Sequence, residues 1–137
     1  MTERVSIIIP AYNEEKNIDN VLQSATSLDY PKDKLEIILI DDGSTDNTLE
    51  KAEKYNIKIL KGTHEGVGVS RNLGWRESNG EIIFFLDADQ TINKGFLKKM
   101  IPCFSKPIIA AMDCNEEVGN NNLIARLHYL RTMLGIK

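Results

Sequence analysis

The sequence has few cysteines, no excess of basic charge and no long hydrophobic run. Cys103 and Cys114 are the 2 cysteines among 137 residues, and they lack the C-x-x-C spacing of a redox or zinc site. The 17 basic and 20 acidic side chains leave a net charge of −3, which excludes the basic face that nucleic-acid binding requires. The longest apolar runs, residues 82–86 and 108–112, are far shorter than the roughly 20 residues of a membrane-spanning helix.

The amino terminus also lacks the features of a secretory signal. Residues 1–5 contain no basic segment that leads into a long apolar stretch, so we expect a cytoplasmic protein. A chain of 137 residues is predicted to form one domain. A domain of that size needs no disulfide or structural metal to hold its core together. Any metal that it binds is therefore expected to serve function.

Five short apolar, β-branched runs alternate with helical patterns. Because the runs are apolar on both faces, they predict strands of a parallel sheet that is covered on each side. The strands are predicted at residues 5–9, 35–40, 57–60, 81–86 and 108–112. Amphipathic spacing and capping signals predict helices near residues 18–28, 46–55, 67–78, 96–104 and 121–134. The alternation predicts an α/β fold, a three-layer α/β/α sandwich with a mostly parallel sheet.

In such a sheet, ligands bind beyond the carboxyl ends of the strands, so the residues that follow each strand are candidate site residues. The segment P-A-Y-N-E-E follows the first strand at residues 10–15. Two interpretations stay open for it. It is either an ordinary turn and helix start, for which Pro, Asn and Glu are typical, or a lip where a base stacks on the Tyr12 ring.

The second strand is followed by D-D-G-S-T-D at residues 41–46. Asp41 and Asp42 repel each other and resist desolvation at the end of a buried strand. Helix capping explains them poorly, because it needs only one such side chain. Gly43 permits a tight turn with positive φ, and Ser44 can present a hydroxyl at a helix start where anions are favoured. We interpret this cluster as functional.

The segment after the third strand, residues 62–72, reads G-T-H-E-G-V-G-V-S-R-N. It is not the dinucleotide fingerprint G-x-G-x-x-G, because Arg71 stands where the last glycine should be and the fingerprint belongs after the first strand. Arg71 either grips a phosphate or belongs to a solvated helix face, and both interpretations stay open. His64 could act as a general acid or base, but we assign it no role.

The fourth strand ends in a pair of carboxylates, Asp87 and Asp89, separated by Ala88. Packing explains such a pair poorly at the end of an apolar strand. Hard divalent cations take oxygen ligands and keep open positions for phosphate oxygens and water. The pair therefore predicts a site for a metal ion and a diphosphate.

Four segments together resemble family 2 glycosyltransferases. They are V-S-I-I-I-P-A-Y-N-E-E, E-I-I-L-I-D-D-G-S-T-D-N-T, G-V-G-V-S-R-N-L-G and F-F-L-D-A-D, in this order. They are similar to the nucleotide-binding segments of that family over residues 5–112. The resemblance implies an inverting, metal-dependent GT-A fold with a Rossmann-like nucleotide-binding half. It also implies transfer of a sugar from a nucleotide-diphosphate donor to a saccharide or lipid acceptor.

The resemblance implies a role for each matching residue. Residues 10–12 would line the base and Glu14 would face the nucleoside. Asp42 would accept a hydrogen bond from the uracil ring nitrogen, supported by Asp41 and Ser44. The predicted donor-binding set is Pro10, Ala11, Tyr12, Glu14, Asp41, Asp42, Ser44, Arg71, Asp87 and Ala88.

The resemblance also implies roles for the residues on the phosphate side. Arg71 would lie near the base and diphosphate. Asp87 would meet the ribose or the metal, and Asp89 would bind the Mg²⁺ or Mn²⁺ that bridges the diphosphate. Asp87 and Asp89 are thus the predicted catalytic and metal-binding residues. Residues 28–34 look like the subgroup that builds glycans at membranes, which favours a UDP-sugar donor.

One departure from the family concerns the acceptor side. Family members continue to an acceptor-binding half that carries a catalytic carboxylate, and none of Asp113, Glu116 and Glu117 can be matched to it. We expect residues 1–137 to form a single nucleotide-sugar-binding domain without that half, which binds donor and transfers sugar poorly. The amphipathic segment 121–134 either packs on the sheet, or contacts a membrane surface or drives self-association at the cytoplasmic face of the membrane.

Three other functions are alternatives to this one. A response-regulator receiver domain needs acidic residues after the first strand, a phospho-acceptor Asp after the third and a Lys after the fifth, and this sequence has none of them. A nucleotidyltransferase would open with a Gly-rich loop and a basic residue after the first strand, and neither is present. A non-catalytic nucleotide-sugar-binding module stays open as the alternative to an enzyme.

Overall fold

The structure is a computed structural model, which describes residues 3–104. The predicted fifth strand, the predicted fifth helix and the acidic residues Asp113, Glu116 and Glu117 lie outside the described residues. None of the helices within residues 3–104 is both long enough and apolar enough to cross a bilayer.

Within the described residues, four parallel strands form a sheet. In chain order they are β1 Val5–Ala11, β2 Leu35–Asp41, β3 Lys58–Lys61 and β4 Ile82–Phe85, and their order across the sheet is β3-β2-β1-β4. Every residue of β1 is buried, as expected for a central strand whose two faces are both covered. The predicted parallel sheet is therefore confirmed for the described strands.

Helices cover both faces of this sheet. The helices are α1 Ile18–Thr26, α2 Thr48–Ala52, α3 Val67–Arg76 and α4 Phe96–Met100, with 3₁₀ turns at Lys32–Lys34 and Ile101–Cys103. Buried residues of α1, α2 and α4 pack with Ile7 and Ile9 of β1 on one face. Leu73 of α3 packs with Ile8 on the other face. The α/β/α layering predicted from the sequence is thus confirmed.

Several element boundaries differ from the predicted ones. Helix α2 begins at Thr48 rather than at Asp46, because the Asp46 carboxylate accepts the Thr48 backbone N–H (2.9 Å) from a position ahead of the helix. Helix α4 ends at Met100 rather than at residue 104, since Pro102 has no N–H to donate to an α-helical bond. Strand β3 begins and ends one residue later than its predicted range 57–60. Strand β4 is one residue shorter at each end than its predicted range 81–86.

Candidate functional site

A cleft lies where the strand order reverses. The connection from β1 leads to β2 on one side, and the connection from β3 crosses to β4 on the other side of β1. This is the place where open α/β sheets bind ligands. The cleft has a volume of about 290 Å³. It is lined by most of the predicted site residues and by two others, namely Pro10, Ala11, Tyr12, Glu14, Asp42, Val67, Ser70, Asp87, Ala88 and Asp89.

The loops that follow β1 and β2 are joined to each other by hydrogen bonds. Asn13, with a left-handed φ of 53°, donates its backbone N–H to Ser44 Oγ (3.0 Å) and accepts the Thr45 N–H at Oδ1 (2.8 Å). The Glu14 N–H donates to Thr48 Oγ1 (2.8 Å). The hydroxyl of Ser44 is therefore used to fix one loop to the other. Ser44 does not line the cleft, and its predicted support of Asp42 stays a prediction.

Asp46 strengthens this junction from the β2 side. Its carboxylate accepts backbone N–H groups of Thr48 (2.9 Å) and Glu15 (3.1 Å). Burial acts to raise the pKa of Asp46, but the hydrogen bonds from Thr48 and Glu15 outweigh it and hold the pKa below its usual 3.8. The junction is thus tied by an ionised side chain at neutral pH.

Asp42 follows β2 and lines the cleft. The loop that follows β3 encloses its carboxylate. Its Oδ1 accepts the His64 N–H (2.9 Å) and its Oδ2 accepts the Gly66 N–H (3.0 Å). The residue is only 6% exposed. An ionised carboxylate offers about four lone-pair sites, so each oxygen retains capacity for one further donor. Asp42 can therefore still accept a hydrogen bond from a ligand N–H.

Asp41 is placed differently from its neighbour. It is 4% exposed and its Oδ1 is buried without a partner in the described part of the chain. It does not line the cleft. Asp41 is the last residue of β2, whereas Asp42 follows the strand and its carboxylate accepts the N–H groups of His64 and Gly66. Only Asp42 is in a position to meet a ligand in the cleft, and the predicted supporting role of Asp41 stays a prediction.

Tyr12 forms the outer wall of the cleft beside Asp42. Its residue surface is 43% exposed, and its ring lies 4.4 Å from the His64 ring, centroid to centroid, at an interplanar angle of 40°. An exposed aromatic ring at the rim of a ligand cleft suits stacking against a planar base. The position agrees with the predicted lip.

Arg71 of helix α3 pairs with Asp87, which lines the cleft. Its Nη2 donates to Asp87 Oδ1 (2.7 Å) and its guanidinium carbon lies 5.7 Å from the centre of the Phe85 ring. The Arg71 Nε is buried and has no partner among the described residues. The described structure thus brings Arg71 to a carboxylate of the predicted metal pair. Its predicted contact with a base or diphosphate stays a prediction.

Asp89 is the exposed carboxylate of the cleft. Within residues 3–104 no group of three or more His, Cys, Asp or Glu side chains could hold a metal ion by itself. Mg²⁺, however, is commonly bound by one or two carboxylates together with substrate phosphates and water. Asp89, with Asp87 two residues before it, fits that second kind of site. The residues present therefore suit a cation that arrives with a diphosphate.

Two residues of the cleft escaped the sequence analysis, Val67 and Ser70 of helix α3. Ser70 is 1% exposed and its Oγ has no partner among the described residues. Gly74, one turn later, lies so close to the sheet that a Cβ would stand 2.4 Å from Ile8 Cγ2. Gly74 faces Ile8 of β1 and Ile40 of β2. Ser70 precedes Gly74 by four helix residues, which span about 6 Å, the same distance as two strand residues. Ser70 therefore lies over the carboxyl ends of β1 and β2. Only the fold reveals this placement, because a serine early in a helix has no distinctive sequence signal.

Comparison with known proteins identifies similar chains. The sequence profile described as "Glycosyl transferase family 2" matches residues 6–135. Poly(ribitol-phosphate) beta-N-acetylglucosaminyltransferase TarS of Staphylococcus aureus is 41% identical over 101 residues, which cover 69% of this chain and 18% of that protein. The chain therefore spans about a fifth of the length of this relative.

Solved structures show the same fold. The crystal structure of S. aureus TarS 1-349 in complex with UDP-GlcNAc has a TM-score of 0.68 and 38% identity, covering 72% of this chain and 30% of that one. Mannosyltransferase PcManGT from Pyrobaculum calidifontis, in complex with GDP-Man and Mn²⁺, has a TM-score of 0.73 and 29% identity, covering 80% and 34%. Glucosyl-3-phosphoglycerate synthase from Mycobacterium tuberculosis, in complex with Mn²⁺, UDP and glucosyl-3-phosphoglycerate, has a TM-score of 0.60 and 27% identity, covering 75% and 40%.

Proposed function

The chain belongs to glycosyl transferase family 2, and from this membership we propose that it supplies the donor-binding part of a glycosyltransferase that uses a nucleotide-diphosphate sugar. The observation that carries the proposal is the arrangement of the cleft. Asp42 follows β2 whereas Asp87 and Asp89 follow β4, and these two strands flank β1 on opposite sides. The Tyr12 ring, which contacts His64, lies on the Asp42 side. One side suits a base and the other suits a cation-bound diphosphate.

The base side of the cleft favours a nucleobase with a ring N–H. Asp42 can only accept hydrogen bonds when it is ionised, so it suits the N–H of uracil and would repel the bare ring nitrogen that cytosine presents. Tyr12 offers a ring face beside it. The UDP-bound state of two similar proteins, TarS and glucosyl-3-phosphoglycerate synthase, supports a UDP-sugar as donor.

On the phosphate side, Asp89 would hold a divalent cation. Asp87 could contribute a second oxygen, because only its Oδ1 is bonded to Arg71. When bound, Mg²⁺ or Mn²⁺ would neutralise charge that develops on the departing diphosphate. Two similar proteins in complex with Mn²⁺ support this cation. Arg71 adds a fixed positive charge beside Asp87 and keeps that carboxylate in place.

The proposed reaction is glycosyl transfer with inversion. An acceptor hydroxyl of a saccharide or lipid attacks the anomeric carbon while the bond from that carbon to the phosphate oxygen breaks, and the acceptor proton passes to a base. The sequence segments that bind donor all end by Asp89. A base and an acceptor site must come from elsewhere, and Asp113, Glu116 and Glu117 lie outside the described residues.

The cellular setting of the proposal rests on the sequence alone. We place the protein in the cytoplasm, where segment 121–134 either packs on the sheet or contacts a membrane surface or a second copy. Sedimentation of the chain with and without anionic liposomes tests this part. A monomer that does not bind the liposomes would exclude membrane contact and self-association. It would not affect the proposed donor site.

Turnover and binding assays together test the proposed function. The chain is incubated with UDP-sugars and Mn²⁺, and UDP release is measured with and without a panel of saccharide and lipid acceptors. We expect tight donor binding in calorimetry with only slow donor hydrolysis, because general-base catalysis contributes about 10²–10⁴-fold and acceptor positioning contributes more. Robust acceptor-stimulated turnover would show that this chain contains the whole enzyme, and absence of any nucleotide-sugar binding would contradict the proposal.

The same assay separates the enzyme from a non-catalytic binding module. One observation supports the binding module as the second candidate. Within residues 3–104, no third His, Cys, Asp or Glu side chain joins Asp87 and Asp89 to form a metal-binding group. Donor binding without even slow hydrolysis would favour the module. Donor hydrolysis that depends on Mn²⁺ would favour the enzyme.

A further inference from the structure

His64 contacts both residues that form the base side of the cleft. Its backbone N–H donates to Asp42 Oδ1 (2.9 Å) and its ring Nδ1 lies 3.1 Å from the Asp42 carbonyl oxygen. Its ring lies 4.4 Å from the Tyr12 ring, centroid to centroid. A carbonyl oxygen can only accept, so the Nδ1 atom carries the hydrogen in this contact. One loop residue thus touches the predicted hydrogen-bond acceptor and the predicted stacking ring.

The loop around His64 is shaped to enclose the Asp42 carboxylate. Gly62 lies so close that a Cβ on it would stand 2.5 Å from Asp42 Oδ1. His64 has a φ of 58° and Gly66 a φ of 97°, and the N–H groups of both residues point at the two carboxylate oxygens. Histidine is among the few side chains that adopt this left-handed region readily. The residue type therefore suits the backbone conformation that the enclosure requires.

The contacts leave the recognition groups available. Each carboxylate oxygen of Asp42 accepts one backbone N–H from the loop, which fixes its direction without filling its lone pairs. The His64 ring packs against Tyr12 while the tyrosine stays 43% exposed. An aromatic neighbour restricts the ring to one orientation, which lowers the entropy lost when a base stacks on it.

We infer that His64 is a positioning residue for the nucleobase: its ring orients Tyr12, and its backbone N–H orients Asp42. The inference rests on the proposed function, since it assumes that a base occupies this side of the cleft. It differs from a purely structural role in what it predicts. A loop that only maintains the fold would affect every ligand alike, whereas a base-positioning residue affects ligands that have a base and spares those without one.

Two variants test the side-chain contacts of His64 while they keep its backbone N–H. His64→Asn keeps a side chain that tolerates the left-handed conformation and an amide that can donate to the Asp42 carbonyl, but it removes the ring beside Tyr12. His64→Gly keeps only the backbone N–H. Both retain the backbone N–H bond to Asp42 Oδ1. A change in His64→Asn therefore reports on the ring beside Tyr12, and any further change in His64→Gly reports on the side-chain donor to the Asp42 carbonyl.

The experiment measures affinity for UDP and for inorganic pyrophosphate, each with Mn²⁺, by calorimetry on the full chain. We expect both variants to bind UDP about two- to tenfold more weakly, the range of one aromatic pair, and to bind pyrophosphate as the parent does. In a Tyr12→Leu background the His64→Asn change should alter UDP affinity less than twofold, because no ring remains to be oriented. Thermal unfolding of each variant confirms that it is folded.

The possible outcomes are distinct. A parent that binds UDP and a His64→Asn variant that binds it equally well would overturn the inference and leave the proposed function standing. Equal losses for UDP and pyrophosphate would also overturn it, because they would show a structural role. A parent that binds no UDP would overturn the proposed function and this inference together.

Discussion

The two ends of the sheet differ in how completely their buried polar groups are paired. At the amino ends of the strands, Ser6 Oγ donates to Glu36 Oε2 (2.6 Å) and accepts the Gly80 N–H (2.9 Å), and the Asn79 N–H donates to the same Glu36 oxygen (2.9 Å). At the carboxyl ends, Asp41 Oδ1, Ser70 Oγ and Arg71 Nε are buried without partners in the part of the chain that the structure describes.

This difference indicates which end stabilises the fold and which end binds ligand. Native proteins pair nearly all of their buried polar groups, because an unpaired one costs about 1–3 kcal/mol. The amino end meets that expectation and leaves no space, since a Cβ on Gly80 would stand 2.5 Å from the Ser6 nitrogen. The carboxyl end has unpaired buried polar atoms among the described residues, and it borders a cleft of about 290 Å³. We infer that stability is concentrated at the first end and ligand affinity at the second.

The largest expected effect is on cation-dependent binding at the carboxyl end. Asp89→Ala should remove the part of UDP affinity that Mn²⁺ supplies, because the exposed carboxylate is the one best placed to hold a cation. The protein should remain folded, since a side chain without buried contacts contributes little to the free energy of unfolding. Calorimetry with and without Mn²⁺ measures the effect. UDP affinity that stays Mn²⁺-dependent in the variant would rule out Asp89 as the ligand.

The next effect concerns Asp42→Asn. The amide loses the charge and presents an NH₂ group toward the His64 or Gly66 N–H, so we expect UDP affinity to fall by about ten- to a hundredfold, as for lost hydrogen bonds to a charged group. Pyrophosphate affinity with Mn²⁺ should change little. Titration of the variant with both ligands checks this. Tighter binding of GDP than of UDP by the parent would refute the assignment of Asp42 to uracil.

Glu36→Gln makes the matched change at the other end of the sheet. It removes the charge that Ser6 and Asn79 face, and we expect the free energy of unfolding to fall by about 1–2 kcal/mol. UDP affinity should be unchanged, because the residue lies at the opposite edge from the cleft. Urea unfolding and UDP titration of the same preparation measure both. A loss of UDP affinity comparable to that of Asp42→Asn would break the comparison between the two ends.

The same carboxylate makes stability depend on pH. Burial acts to raise the pKa of Glu36, but the hydrogen bonds from Ser6 and Asn79 outweigh it and hold the pKa below its usual 4.5. A lowered folded-state pKa gives stability that is present above pH 4.5 and is lost as the pH falls through the folded value. The stability difference between parent and Glu36→Gln should therefore shrink below pH 4.5 in urea unfolding. A constant difference down to pH 3 would exclude this source.

The smallest effect is expected for Ser70→Ala. Removing a buried hydroxyl that has no partner within residues 3–104 should leave the free energy of unfolding unchanged or raise it by up to about 1 kcal/mol. UDP affinity should fall severalfold at most. The control is Ser6→Ala, where the hydroxyl both donates and accepts, and where we expect a loss of about 1–3 kcal/mol. Equal destabilisation by the two changes would show that Ser70 has a partner in the folded protein.

The comparison also shows what the sequence could predict. The apolar runs located all four described strands, and the chemistry at their ends identified Tyr12, Asp42 and Asp89 as cleft residues. Both follow from local rules, because a buried strand must be apolar and the ends of parallel strands meet at one edge. The sequence assigned both Asp41 and Asp42 to the donor site, whereas only Asp42 of the two lines the cleft.

The rest depended on contacts between distant residues. His64 acts through its backbone N–H and a left-handed φ, and neither leaves a residue-type signature strong enough to distinguish it from an incidental histidine. Arg71 pairs with Asp87, 16 residues away, and this pairing could not be predicted from the sequence. The Ser6–Glu36 bond joins residues 30 apart, and the Glu36–Asn79 bond joins residues 43 apart. Periodicity indicates elements but not which of their side chains meet.

The most direct test of the account is whether the carboxyl-end cleft binds UDP only together with a divalent cation. The measurement is the free energy of unfolding of the full chain with UDP, GDP, CDP or dTDP, each with and without Mn²⁺. The account predicts that UDP with Mn²⁺ at a hundred times its Kd stabilises the protein by about 2.7 kcal/mol, and that omitting Mn²⁺ or replacing uracil by cytosine removes most of this gain. Stabilisation that is equal for all four nucleotides and indifferent to Mn²⁺ would contradict it.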